Sequence, residues 1–147
     1  MKKKMLLILF AFAPLLFGNF INVLMTRLDW NGFSMFALSV LFSVFWLYVG
    51  YKSAKHSHSI IEATLLGNCI ALISYFTLLI SYIFLGHGIF SVIGFQMQMV
   101  FLPMIRLSAT LLSFTGNVSV NSVYLLSTLI MIILFASGFK LQRSVWQ

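Results

Sequence analysis

His56, His58 and Glu62 bring three metal-binding or proton-moving side chains into one seven-residue stretch. His58 and Glu62 are four apart, a spacing that puts both on one helix face, with His56 in the loop before them. Three such ligands can hold zinc with a fourth position open. The same acid also fits a structural task. Ser59-Ile60-Ile61-Glu62 is a capping box, in which Ser59 caps a helix and Glu62 reaches back to the cap's backbone N–H. A carboxylate in the first turn also suits the positive end of the helix dipole. Capping is the simpler reading, because every helix start leaves donors to satisfy, whereas the ligand spacing is unspecific. His87 stands between Gly86 and Gly88, reads as a solvated turn residue, and falls on the far side of the expected topology from the other two.

Three amides, Asn19, Asn22 and Asn68, lie within long apolar stretches. An amide in lipid needs a partner, so these read as clamps between helices or as the polar lining of a path. Pro14 removes a backbone bond from the segment that carries Asn19 and bends it near Gly18. Ala63, Gly67 and Ala71 recur every four residues and form a small-residue packing face; Ser39, Ser43 and Gly50 make a thinner one. Cys69 is the single cysteine, so it reads as a packing residue and not as half of a disulfide or redox pair. Asn117-Val118-Ser119 matches the short glycosylation pattern and is read as chance.

The elements that must position these residues follow from composition. Of 147 residues, 61% are hydrophobic and 7% charged, and the mean hydropathy is +1.06. A soluble domain carries about a quarter charged residues, so lipid is the expected solvent. Four stretches are long enough to cross about 30 Å of hydrocarbon: residues 5–25, 33–51, 60–85 and 120–139. Lys2, Lys3, Lys4, Lys52, Lys55, Lys140 and Arg143 fall at one side of these spans, and Arg27 and Arg106 at the other. Excess Lys and Arg mark the cytoplasmic side, so both termini are expected there, in a cell membrane of bacterial type. The first apolar run is too long for a cleaved signal peptide, and Pro14 follows its one small-residue triplet. Trp30, Tyr82 and Tyr124 are expected in an outer aromatic belt, and Trp46, Tyr48, Tyr51 and Trp146 in an inner one.

Residues 88–115 are the ambiguous stretch. Ile89–Ile105 is nearly long enough to span, but it holds Gln96, Gln98 and Pro103, and Arg106 follows directly. Counting it as a span would spoil the charge bias. It is therefore expected to be an outer segment that lies in the interface or re-enters the bilayer, with Ser91, Gly94 and Gln98 as a polar stripe. The fold class is thus an all-α membrane bundle of four spans plus this segment, in a single domain over residues 1–147.

No Lys, Arg, Asp, Glu or His lies deep in any of the four spans, and proton- or ion-coupled transport usually needs one. No cofactor, metal centre, catalytic set or nucleic-acid surface is expected. The leading expectation is a non-enzymatic membrane protein working through contacts, as an accessory or assembly subunit or an immunity-type protein. Its partners would be lipid and another membrane protein or a second copy, docked on Phe95, Met97, Met99, Phe101 and Met104. The alternatives are a small homo-oligomeric transporter or pore using Asn19, Asn22 and Asn68, and a lipid-modifying enzyme using His56, His58 and Glu62. The orientation is testable with Cys69 replaced by alanine. A cysteine at Ser57 or Ser144 is expected to resist an impermeant maleimide until cells are permeabilised, while one at Thr115 reacts at once; the reverse pattern overturns the topology.

Overall fold

A computed structural model describes residues 2–27, 32–57, 59–85, 92–116 and 118–144. Asp29, Trp30, His58, His87, Phe90, Ser91, Asn117 and Trp146 lie outside the described residues. Every regular element among those described is a helix: α1 (Lys2–Ala11), α2 (Ala13–Arg27), α3 (Gly32–Ser53), α4 (Ile60–Gly67), α5 (Cys69–Leu85), α6 (Val92–Met99), α7 (Leu102–Ser113) and α8 (Val120–Ser144). Three apolar lengths suffice to cross a membrane: Met5–Arg27 with 23 residues, Ser34–Ser53 with 20 and Val120–Ser144 with 25. Ile60–Gly67 and Cys69–Ile83, bent by 58° at their junction, are together apolar and long enough for a fourth if the pair is one span.

The bundle is organised around α3 and α8. Trp46 bonds the carbonyl of Met131, Gly50 meets the backbone of Phe135, and Gly138 meets the backbone of Leu47 and Tyr51. Both chains advance in the same sense through these contacts, so the two helices run parallel. Gly50 and Gly138 allow the approach, since a Cβ on either would fall inside the opposing backbone. Helices in lipid gain little from burying apolar groups, so this close backbone packing is a main source of association. Phe17, Phe42, Trp46 and Phe135 form a chain of ring contacts through the centre, with neighbouring centroids 5.4, 5.7 and 5.8 Å apart.

Helices α4 and α5 run against this pair. Gly67 sits under the Phe135 ring, where a Cβ would lie 2.5 Å from two ring carbons, and Asn68 follows at the level of Met131. The expected third span over residues 60–85 is therefore broken at Asn68. Since α8 is parallel to α3 and opposed to α4–α5, α5 ends at the end of the bundle where α8 begins. Helices α6 and α7 lie between these two points in the sequence. This direction also puts Lys52 and Lys55, at the close of α3, level with Lys140 and Arg143, at the close of α8.

Helices α6 and α7 enter the bundle. The backbone of Met99 lies against Gly18, Met97 against Ser74 and Met104 against Ser43, all near the middle of their helices. Met99, Phe101 and Met104 are buried, and Phe101 and Met104 belong to the core. Of the five residues expected to dock a partner, Met97 is half-buried and Phe95 alone is exposed. Gly94 and Gln98, expected on a solvated stripe, are buried and half-buried. Each aromatic belt also loses a member. Trp46 is fully buried at the bundle centre, because its indole N–H has acceptors there, and Tyr124 is buried against Phe101. Tyr48 and Tyr82 remain exposed, with Lys52 over the Tyr48 ring. Gly138→Ala is expected to lower stability by about 1–3 kcal/mol through overpacking, whereas Ser137→Ala on the exposed neighbouring face changes little. Thermal unfolding in detergent checks this, and equal melting of both variants would contradict the close α3–α8 crossing.

Candidate functional site

Polar groups meet at the bundle centre where Trp46 Nε1 donates to the Met131 carbonyl at 3.0 Å and to Asn68 Oδ1 at 3.3 Å. Gly67-Asn68 is a natural break, since both residues are weak helix formers. Asn68 leaves helical geometry with φ −107° and ψ 11°. Its side-chain Nδ2 donates to the Thr64 carbonyl at 2.9 Å, beside its own backbone N–H, which donates to the same oxygen at 3.0 Å, and Leu72 continues the ladder by donating to Asn68 O at 2.9 Å. One amide thus ends a helix, bends a span and receives an indole from another helix.

A second group ties the α6–α7 segment to its surroundings. Asn19 Nδ2 donates to Leu15 O at 2.9 Å and approaches Gln96 Oε1 at 3.5 Å. The Ser74 hydroxyl meets Met97 Sδ at 3.1 Å, and the Ser43 hydroxyl meets Met104 Sδ at 3.6 Å. Ser108 and Ser127 share a hydrogen bond of 2.8 Å, both fully buried. Asn19 and Asn68 therefore bond different helices and do not converge on one site. Asn22 is half-buried in the last part of α2. Ala63, Gly67 and Ala71 are all buried inside the chain, as are Ser39 and Gly50.

Comparison with known protein families, characterised proteins and solved structures finds no match to this chain.

At the basic end, Ser59 caps α4, its Oγ accepting from Glu62 N–H at 3.4 Å. The return half of the capping box runs through a third residue. Ser59 N–H donates to Ser57 Oγ, and that hydroxyl lies 3.3 Å from Glu62 Oε2. Glu62 thus supports the turn entering α4. His56 is half-buried in that turn and His58 lies outside the described residues; among those described, no three His, Cys, Asp or Glu side chains gather to hold a metal. Cys69 follows Asn68 directly and is half-buried.

Trp46 and Phe135 are the central residues that sequence reasoning missed. A usable signal was present, since a buried Asn68 and an indole N–H are complementary groups that both need partners in lipid. Trp46→Phe and Asn68→Leu are each expected to cost about 1–2 kcal/mol. The double variant should cost about 0.6 kcal/mol less than their sum, because each single change already loses the shared bond. Strict additivity in detergent unfolding would sever the two residues energetically.

Proposed function

We propose that this chain is a four-span protein of a cell membrane whose α6–α7 segment re-enters the bilayer from the outer face, and that it acts through protein contacts and not by catalysis. The return of the chain between α5 and α8 supports four crossings, since a fifth would set α8 antiparallel to α3. With Lys52, Lys55, Lys140 and Arg143 at one end, the positive-inside rule assigns that end, and both termini, to the cytoplasm. Irregular backbone at Val100 and Phe101 is tolerable at that depth because it is enclosed by protein.

The observation that carries the contact reading is how the polar groups inside the bundle are used. Asn19, Asn68, Trp46, Ser108 and Ser127 bond across helices, and these bonds hold the re-entering segment and the bent span in place. Such a bundle presents a fixed outer shape to a neighbour. The exposed side chains of the re-entering segment include the apolar Phe95, Leu111 and, at the end of α7, Phe114, which is 83% exposed, beside the polar Gln96 and Arg106. A large aromatic exposed at the expected outer interface suits an accessory, assembly or immunity role, with a partner membrane protein or a second copy seated there.

A photo-crosslinking residue at Phe114 or Leu111 is expected to yield a discrete crosslinked species in native membranes, and one at Leu129 on the lipid side of α8 is not. Phe114→Ala with Leu111→Ala should abolish that species without shifting the melting temperature. Crosslinking absent from both positions, or solute flux in proteoliposomes that falls when Asn19 becomes Leu, would overturn the contact reading.

A further inference from the structure

Arg106 is the only charged residue of α6 and α7, and it points away from the core. It is exposed, while Met104 and Ser108, two positions before and after it, are buried. At about 100° per residue those two lie on the opposite side of the helix. Thr110 and Ser113 share the face of Arg106, within about 40° of it. Thr110 Oγ1 donates to the Arg106 carbonyl at 2.8 Å, and Ser113 Oγ donates to the Thr110 carbonyl at 2.6 Å. Both hydroxyl protons are thus spent on α7 itself. The Arg106 guanidinium has no hydrogen bond or ion pair among the described residues.

The neighbours of Arg106 fix its level. Ser108 shares its 2.8 Å hydrogen bond with Ser127, which is about 10 Å along α8 from Val120. Met104 Sδ lies 3.6 Å from the Ser43 hydroxyl, about 13 Å past Ser34, where the apolar length of α3 begins. Arg106 therefore stands on the bundle surface well inside the outer ends of both spans, against a hydrocarbon layer about 30 Å thick. The large side chains exposed further along α7, Leu111 and Phe114, are apolar.

A charge at such depth is costly, and in membrane proteins it is met by an opposite charge. The chain has two acids, Asp29 and Glu62, and Glu62 serves the turn entering α4. Lipid phosphates lie at the bilayer surface, within reach of cations near the span ends. A carboxylate on a helix can be presented at any depth, and it matches the paired N–H donors of an arginine. We propose that Arg106 pairs with a carboxylate on a transmembrane helix of a partner protein, in the outer half of the bilayer. Leu111 and Phe114 supply apolar contact beside the pair. This pairing rests on the contact reading above and specifies the chemistry of the partner.

Fluorescence transfer in proteoliposomes between the labelled chain and a synthetic polyleucine transmembrane helix tests this directly. One peptide carries a single Glu about 10 Å from its outer end, and a second carries Gln there. The natural chain is expected to bind the Glu peptide about tenfold more tightly, as one charge-assisted hydrogen bond would give. Arg106→Gln, at an exposed position, should bind the two peptides equally, and Arg106→Lys should keep part of the preference. The preference is expected in phosphatidylcholine and phosphatidylglycerol vesicles alike. Equal binding of both peptides by the natural chain, or full preference in Arg106→Gln, would overturn the proposal. Loss of the preference in phosphatidylglycerol would give the guanidinium to lipid phosphate, and its growth in Asp29→Asn would reveal a pair within the chain; either result also overturns it. In native membranes, crosslinking at Phe114 should weaken in Arg106→Gln. Undiminished crosslinking there sinks the carboxylate pair and leaves the contact reading standing, whereas no crosslinking in the natural chain sinks both.

Discussion

The Trp46 indole N–H sits at the dry centre of the bundle, where a polar donor without an acceptor would cost several kcal/mol. Its two acceptors come from different helices, the Met131 carbonyl of α8 and the Asn68 amide at the break between α4 and α5. Satisfying one donor in this way sets the register of α3 against α8 and the level at which the third span bends. The rings of Phe42 and Phe135 then close on either side of the indole. Gly67 leaves the space that Phe135 occupies. The bend, the aromatic column and the parallel α3–α8 crossing are thus one arrangement.

The α6–α7 segment depends on that arrangement. With α3 parallel to α8 and opposed to α4–α5, α5 closes at the end where α8 opens, and the segment between them places Met97, Met99 and Met104 at mid-bundle. Methionine suits this position because an unbranched thioether adapts to irregular gaps. Serine hydroxyls on α3 and α5 meet two of the sulfurs, and a serine pair joins α7 to α8. These are weak bonds individually, of order 0.6 kcal/mol in a membrane bundle. Spread over three partner helices, they hold a broken segment where lipid could not satisfy its backbone. The same residues that looked like a sticky surface in one dimension are the filling of the bundle in three.

The charged side chains gather mainly at the ends, with Arg106 exposed on α7. Glu62 serves the entry turn of α4 through Ser57 and Ser59, while Lys52 rests over Tyr48 and Arg143 over Phe139. Cations on aromatic faces at the end of a bundle remain near anionic lipid while their stems cover apolar surface. Seven of the nine basic residues behind the net charge of +7 thus belong to one end, with Arg27 and Arg106 elsewhere.

The sequence by itself determined the solvent, the apolar helices, the basic end and the cap at Ser59, because each depends on residue type and on spacing along a few turns. Span length follows from 1.5 Å per residue, and charge bias from counting. The bend at Asn68, the burial of Trp46 and the entry of residues 92–113 into the bundle were decided only in the tertiary structure. Trp46 has the composition of an interfacial anchor, and Met99, Phe101 and Met104 that of a docking face. In a chain that is apolar on every side, hydrophobic periodicity cannot separate lipid-facing from buried positions. That choice falls to complementary polar partners and to glycines that admit a neighbouring backbone, and both are relations between residues far apart in the chain.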